Sequence, residues 1–160
     1  MAVEYTFTPM TQADAKELCA WRYDGAYSAY AFIQYEDAAR QGWSIADAAV
    51  LARCFVSAKN AQGKLCGFFR LEVQPDGAVE IGLGLAPDIC GKGNGAAFVR
   101  SLTTYAQQKH PQKPLYMEVR PFNQRAVRCY EKCGYTATAQ YTKQQPWGKI
   151  EYIRMEYAPL

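Results

Sequence analysis

The chain has 160 residues, 49% of them hydrophobic and 21% charged, with a formal net charge of +3. That length suits one domain with a real core, and the composition is ordinary for a globular protein. The small charge and scattered basic residues argue against a nucleic-acid binder, no apolar run approaches a membrane span, and the N-terminal MAVEYTFTPM lacks the basic start and long apolar centre of a signal peptide.

None of the six cysteines (Cys19, Cys54, Cys66, Cys90, Cys129, Cys133) sits in a CxxC pair. Reduced thiols in a cytoplasmic protein are the expectation. Cys129 and Cys133 lie one helical turn apart, but His110 is the only histidine, so no metal site is expected.

Val3 to Thr8 reads as a first strand. Thr11 caps a predicted helix from Gln12 to about Trp21, with Ala15, Leu18 and Cys19 on one face. The next stretch, WRYDGAYSAYAFIQY, is dense in rings. Two readings stand: the rings cover a core edge, or some of them wall an acceptor pocket, with Tyr23, Asp24 and Tyr27 facing the ligand. Short helical turns are expected at Asp37–Gln41 and Ile45–Leu51. Strands follow at Arg53–Ala58 and Leu65–Val73, joined by NAQG as a hairpin. Pro75-Asp76-Gly77 turns the chain into a third antiparallel strand, Val79–Leu85.

That strand opens the central stretch, VEIGLGLAPDICGKGNG. Glycines at 91, 93 and 95 follow, then a helix-period segment, Ala96 to Gln108, with Phe98, Val99, Leu102, Tyr105 and Ala106 on one face. Strand, glycine turn and helix form a phosphate-binding arrangement, because several backbone N–H groups and the helix's positive end converge on one anion. Pro111 and Pro114 stop the helix before a strand at Leu115–Val119. The crossover makes this strand parallel to Val79–Leu85. Asn123 caps a helix from Gln124 to about Lys132, closed by Gly134. Two strands, Tyr135–Thr142 and Lys149–Tyr157, complete the chain around QQPWG.

A dinucleotide fingerprint needs its glycines at the start of a βαβ unit and an acidic ribose ligand further on; here they come mid-chain, after three strands. A Walker loop needs Gly-Lys-Ser/Thr, which Gly93-Asn94-Gly95 does not supply. The pairing of PDICGKGNGAAFVRSL with VRPFNQRAVRCYEKCGY instead resembles the GNAT superfamily of N-acetyltransferases. The second motif carries Asn123, Arg125-Ala126, Tyr130-Glu131-Lys132 and Gly134-Tyr135 in the family's order. GLGLAPD with an early WRYDGAY is similar to a bacterial GLGLxPD-type branch. One departure is Cys90, where the family usually has Arg or Gln.

The resemblance implies a single domain over residues 1–160, α/β of α+β type, with a mixed, mostly antiparallel twisted sheet and helices on both faces. It implies acetyl-CoA as co-substrate. Pantetheine would pair with the backbone of Leu83, Gly84 and Leu85; amides of Cys90, Gly91, Lys92, Gly93, Asn94, Gly95 and Ala96 would hold the pyrophosphate; Asn123 and Tyr130 would touch the cofactor arm. An acceptor amine with a pKa near ~10 is mostly protonated at neutral pH, so a base is required. Glu80 is the candidate, beside Gly82 and Gly84, small residues that leave room for a ligand; Glu118 is the reserve base and a candidate acceptor contact. Tyr130 matches the family's acid for the leaving thiolate. The expected acceptor is a small-molecule amine. Protein N-termini or lysines, and a non-catalytic acyl-CoA sensor, are the alternatives. No nucleic acid or membrane partner is expected, and the chain is expected to be a monomer or homodimer.

Overall fold

A computed structural model describes residues 4–158. Its seven strands are β1 (Thr6–Pro9), β2 (Phe55–Lys59), β3 (Leu65–Val73), β4 (Val79–Leu85), β5 (Leu115–Val119), β6 (Tyr135–Gln145) and β7 (Gly148–Tyr157). Five α-helices accompany them: α1 (Gln12–Cys19), α2 (Tyr35–Gln41), α3 (Ala48–Cys54), α4 (Gly95–Lys109) and α5 (Gln124–Lys132). The strand order is β1-β2-β3-β4-β5-β7-β6, and β4–β5 pairs in parallel. This is the expected mixed, mostly antiparallel sheet. The chain divides into two compact units, one of residues up to Arg70 with Leu83–Asn94, the other of Leu71–Gly82 with Gly95 onward.

In the first unit, Thr11 starts α1 through a reciprocal cap: its hydroxyl accepts the Asp14 N–H at 3.1 Å, and the Asp14 carboxylate accepts the Thr11 N–H at 3.3 Å. The helix turns Ala15, Leu18 and Cys19 into a core with Ile45, Leu51, Phe55 and Phe68. Trp21, Phe32 and Tyr35 pack against that core, so for these rings the core-edge reading holds, and Trp43 packs there too. Asp47 starts α3 by accepting the N–H groups of Ala49 and Val50.

In the second unit, α4 carries the chain from β4 to β5, and the parallel pairing runs from Val79↔Leu115 to Ile81↔Met117. Antiparallel β7 adds beside β5, and β6 beside β7. Val79, Ile81, Phe98, Leu102, Met117, Tyr135 and Met155 are buried. The Asn123 side chain accepts the Ala126 N–H at 3.1 Å, capping α5, and Gly134 follows that helix at φ +96°.

Several boundaries differ from the sequence reading. Val3 lies outside the described residues, and β1 runs to Pro9. The helix expected to reach Trp21 ends at Cys19. Arg53 and Cys54 finish α3 rather than start β2, because the Asp47 cap commits the following residues to a helix. The last hairpin is longer than expected: Gln145 pairs with Gly148, so the turn is Pro146-Trp147 alone.

Candidate active site

Alternation along β4 fixes where its backbone groups point. The Val79 N–H donates to the Pro114 carbonyl at 2.8 Å, on the β5 side, and the Ala86 N–H donates to the Cys66 carbonyl at 2.8 Å, on the β3 side. Odd-numbered residues therefore present their N–H and C=O on the β5 side. Pairing with β5 covers only Val79–Ile81, so Leu83 and Leu85 carry that edge beyond the paired register. An edge of this kind is what an extended amide chain adds to.

Two features of the first unit bear on this edge. The Tyr23 hydroxyl donates to the Leu85 carbonyl at 2.7 Å. Burial, and next the neighbouring Cys90 thiol, push the Tyr23 hydroxyl upward, so it stays a donor. The structure thus brings the acceptor candidate Tyr23 to Leu85 and Cys90. Asp24 precedes a 3-10 turn, Gly25–Tyr30, without capping it, and Tyr27 stacks on Tyr30 at 6.4 Å. The room expected at Gly84 is already taken. A Cβ there would sit 2.7 Å from the Phe68 ring, so the glycine serves ring packing, not a ligand.

The loop after β4 is a tight turn in which the Ile89 and Cys90 N–H groups both donate to the Ala86 carbonyl. Gly91 and Gly93 have φ of +78° and +80°, the left-handed region that favours glycine. A Cβ at Gly93 would meet nothing within 4 Å, so conformation is what requires glycine. The Asn94 side chain donates to the Ile89 carbonyl at 3.1 Å, tying the loop together; Cys90 is half-buried and Lys92 exposed. A loop of left-handed glycines leading into a helix fits a diphosphate.

In the second unit, Gly95 has a different reason to be glycine: a Cβ would lie 3.2 Å from the Cys129 sulfur. The Ala96 carbonyl accepts the Cys133 thiol at 3.5 Å. Burial, and next Cys133, push the Cys129 thiol up to about 11, so it is not a ready thiolate. All six cysteines are free, and no group of three or more metal-ligating side chains exists among the described residues. The Tyr130 ring lies 6.3 Å from buried Tyr135, whose hydroxyl is 2.7 Å from that of Thr103.

The register of the second unit gathers one further set of side chains on the face opposite Ile81, Met117 and Met155. Glu80 pairs across from Tyr116, Glu118 from Arg154, and Tyr152 from Tyr141. Glu118 accepts the Tyr141 hydroxyl at 2.5 Å and the Lys143 ammonium at 2.9 Å. Glu80 accepts the Gln74 amide at 3.2 Å. Burial works to raise Glu118, but the bonds from Tyr141 and Lys143 outweigh it and hold the carboxyl below its ordinary range. Arg154 lies 3.6 Å over the Tyr116 ring. Glu80 and Glu118 were legible as separate candidates. Tyr141, Lys143, Arg154 and Gln74 were missed, because only the strand register brings them there.

The model for the acetyltransferase (GNAT) domain matches residues 5–136. No curated protein matches the chain. Among solved structures it is similar to a spermidine N-acetyltransferase SpeG chimera from Vibrio cholerae and hSSAT, at 19% identity and a TM-score of 0.74 over 96% of this chain and 94% of that one. SpeG from Vibrio cholerae in complex with manganese ions is similar at 18% identity and a TM-score of 0.71, covering 96% and 91%. AAC(6')-Ib in complex with "Parmomycin and AcetylCoA" is similar at 22% identity and a TM-score of 0.70, covering 96% and 93%.

Proposed function

The chain belongs to the GNAT acetyltransferase family, and from that premise we propose that it moves an acetyl group from acetyl-CoA to a primary amine of a small molecule, by direct attack in a ternary complex. The single observation that carries this reading is the course of β4: its β5-side edge runs past the paired register at Ile81 and leads straight into the left-handed glycine loop. Solved structures of the same fold are described as acting on spermidine or holding AcetylCoA, which supports the donor and the small-amine class.

Acetyl-CoA supplies the thioester carbonyl that the amine attacks. The chain's residues do the rest. Leu83 and Leu85 present backbone groups to an extended amide chain, and the N–H groups of the loop from Gly91 to Ala96 meet the diphosphate; the Cys90 N–H, expected among them, is already given to the Ala86 carbonyl. Glu80 takes the acceptor's proton, directly or through water, and Tyr130 returns one to the leaving sulfur. Asn123 caps α5 and touches the cofactor arm as well. Tyr23, fixed on Leu85, shapes the acceptor side. The 160 residues act as one N-acetyltransferase domain, and the free thiols support a cytoplasmic setting.

The test is thiol release from acetyl-CoA over a panel of amines that includes spermidine, paromomycin and peptide N-termini, with thermal shift alongside. Acetyl-CoA should raise the Tm, NAD should not, and at least one small amine should be turned over. A Tm shift with no turnover on any amine would make the chain a binder. A preference for the peptides would move it to the protein-modifying class.

A further inference from the structure

We propose that the cavity beside the C-terminal end of α5 is a second ligand site, which takes a small organic dianion of the phosphate-monoester class. The cavity measures about 300 Å³. It is lined by Arg100, Thr103 and Thr104 of α4, by Lys132 and Cys133 at the end of α5, and by Tyr157 of β7, all within the second unit. That volume is at the lower end for small-molecule pockets, which suits a compact ligand. None of these residues is among those proposed to meet acetyl-CoA, so the inference goes beyond that reading.

The charge in the lining is all of one sign. Arg100 and Lys132 stand there with no carboxylate beside them, and neither forms an ion pair among the described residues. Arg100 gives one hydrogen bond, from Nη2 to the Lys132 carbonyl at 3.5 Å, which holds the guanidinium at the end of α5 and leaves most of its N–H groups over. The negative end of a helix repels an anion, but here the last carbonyls are already used. Those of Tyr130 and Glu131 accept the Cys133 and Gly134 N–H groups at 3.0 and 3.2 Å, and that of Lys132 accepts Arg100. The threonine hydroxyls are committed to helix carbonyls as well, Thr103 to Val99 at 2.7 Å and Thr104 to Arg100 at 3.2 Å. The two cations therefore set the character of the cavity. Their field is felt by the adjacent thiol: burial raises Cys133, and Arg100 and Lys132 act against it. Concave walls of one sign concentrate potential on a charge of the other. A guanidinium fork matches phosphate geometry, and a phosphate ester carries close to the two negative charges that the pair balances.

The test times alkylation of Cys133 by neutral iodoacetamide, mapped peptide by peptide with mass spectrometry, in the presence and absence of phenyl phosphate. With a Kd of about 1 mM, about 10 mM phenyl phosphate should slow Cys133 roughly 10-fold. Phenol, the neutral counterpart, should not slow it. In the double variant Arg100→Gln, Lys132→Gln the protection should disappear, whereas Arg100→Lys, which keeps the charge and loses the fork, should retain part of it. Saturating CoA should leave the phenyl phosphate effect in place. Line broadening of the phenyl phosphate 31P signal, measured with CoA present and lost in the double variant, gives the same answer where Cys133 reacts too slowly to time. Absence of both protection and broadening, equal protection by phenol, or protection unchanged in the double variant overturns the proposal. So does loss of the phenyl phosphate effect with CoA, which would make the cavity part of the donor site. Acetyl transfer enters none of these readings, so a failed turnover assay leaves them standing.

Discussion

Gly84→Ala adds one methyl group to β4 at a position where there is no space for it. The new Cβ would lie 2.7 Å from Cε1 of Phe68, with Cδ1 and Cζ at 3.4 and 3.5 Å. The ring cannot simply swing aside. Phe68 is 8% exposed and packs against Phe32, with centroids 5.9 Å apart, and against Phe55 at 6.4 Å. Overpacking of this kind costs about 1–3 kcal/mol. For a chain of this size each kcal/mol lowers the Tm by about 2–4 °C, so Gly84→Ala should melt about 2–12 °C below the wild type. Because Leu83 and Leu85 flank Gly84 on the proposed donor edge, acetyl-CoA affinity should fall as well. Phe68→Leu in the same background should recover part of the loss, giving a coupling of about 0.5 kcal/mol or more. Urea melts of the four proteins read the cycle. Additive effects, or a Gly84→Ala protein as stable as the wild type, would show that Phe68 does not require the glycine.

Asn123→Ala should cost about 1 kcal/mol by removing the α5 cap, whereas Asn123→Ser keeps a capping oxygen and should retain the Tm; calorimetry with acetyl-CoA on the serine variant then isolates any cofactor contact. Tyr130→Phe should lower kcat by about 10- to 1000-fold with acetyl-CoA affinity little changed; equal turnover would return Tyr130 to a packing role against Tyr135. Glu118 is held below its unfolded value, so the stability it contributes is present above the ordinary glutamate pKa of about 4.3 and is lost as pH falls through the folded value. The Tm gap between wild type and Glu118→Gln should therefore be wide at neutral pH and close in acid.

The parts of the fold that were legible are those whose signals are local. Leu65–Val73, Val79–Leu85 and Leu115–Val119 are bounded by turn residues, and the Thr11 and Asn123 caps stand directly before their helices. The end of β6 was missed because glutamines around Pro146-Trp147 resemble a loop until their partners across the hairpin are known. The candidate site shows the same division. Glu80, the glycine loop and Asn123 announce themselves within one short stretch each. Glu118 acquires its partners from Tyr141 and Lys143, more than twenty positions away, through a register that no local pattern specifies. Gly84 and Gly95 were legible as glycines but not for their reason, which is a ring in one case and a sulfur in the other.

The strand order also dictates when each pairing can form as the chain folds. Lys59 and Leu65 face each other across one short turn, as do Gln145 and Gly148, so those hairpins close locally, on a timescale of about 1–10 μs. Val79 and Leu115 are separated by the whole of α4, and Thr6 and Lys59 by three α-helices. Distant closures of this kind are slow. The parallel β4–β5 junction is thus among the last contacts made, and Leu83 and Leu85 lie just beyond it. A chain halted before that step would hold its hairpins but lack the pairing that fixes the course of β4, so recovery of acetyl-CoA binding should lag recovery of strand signal during refolding.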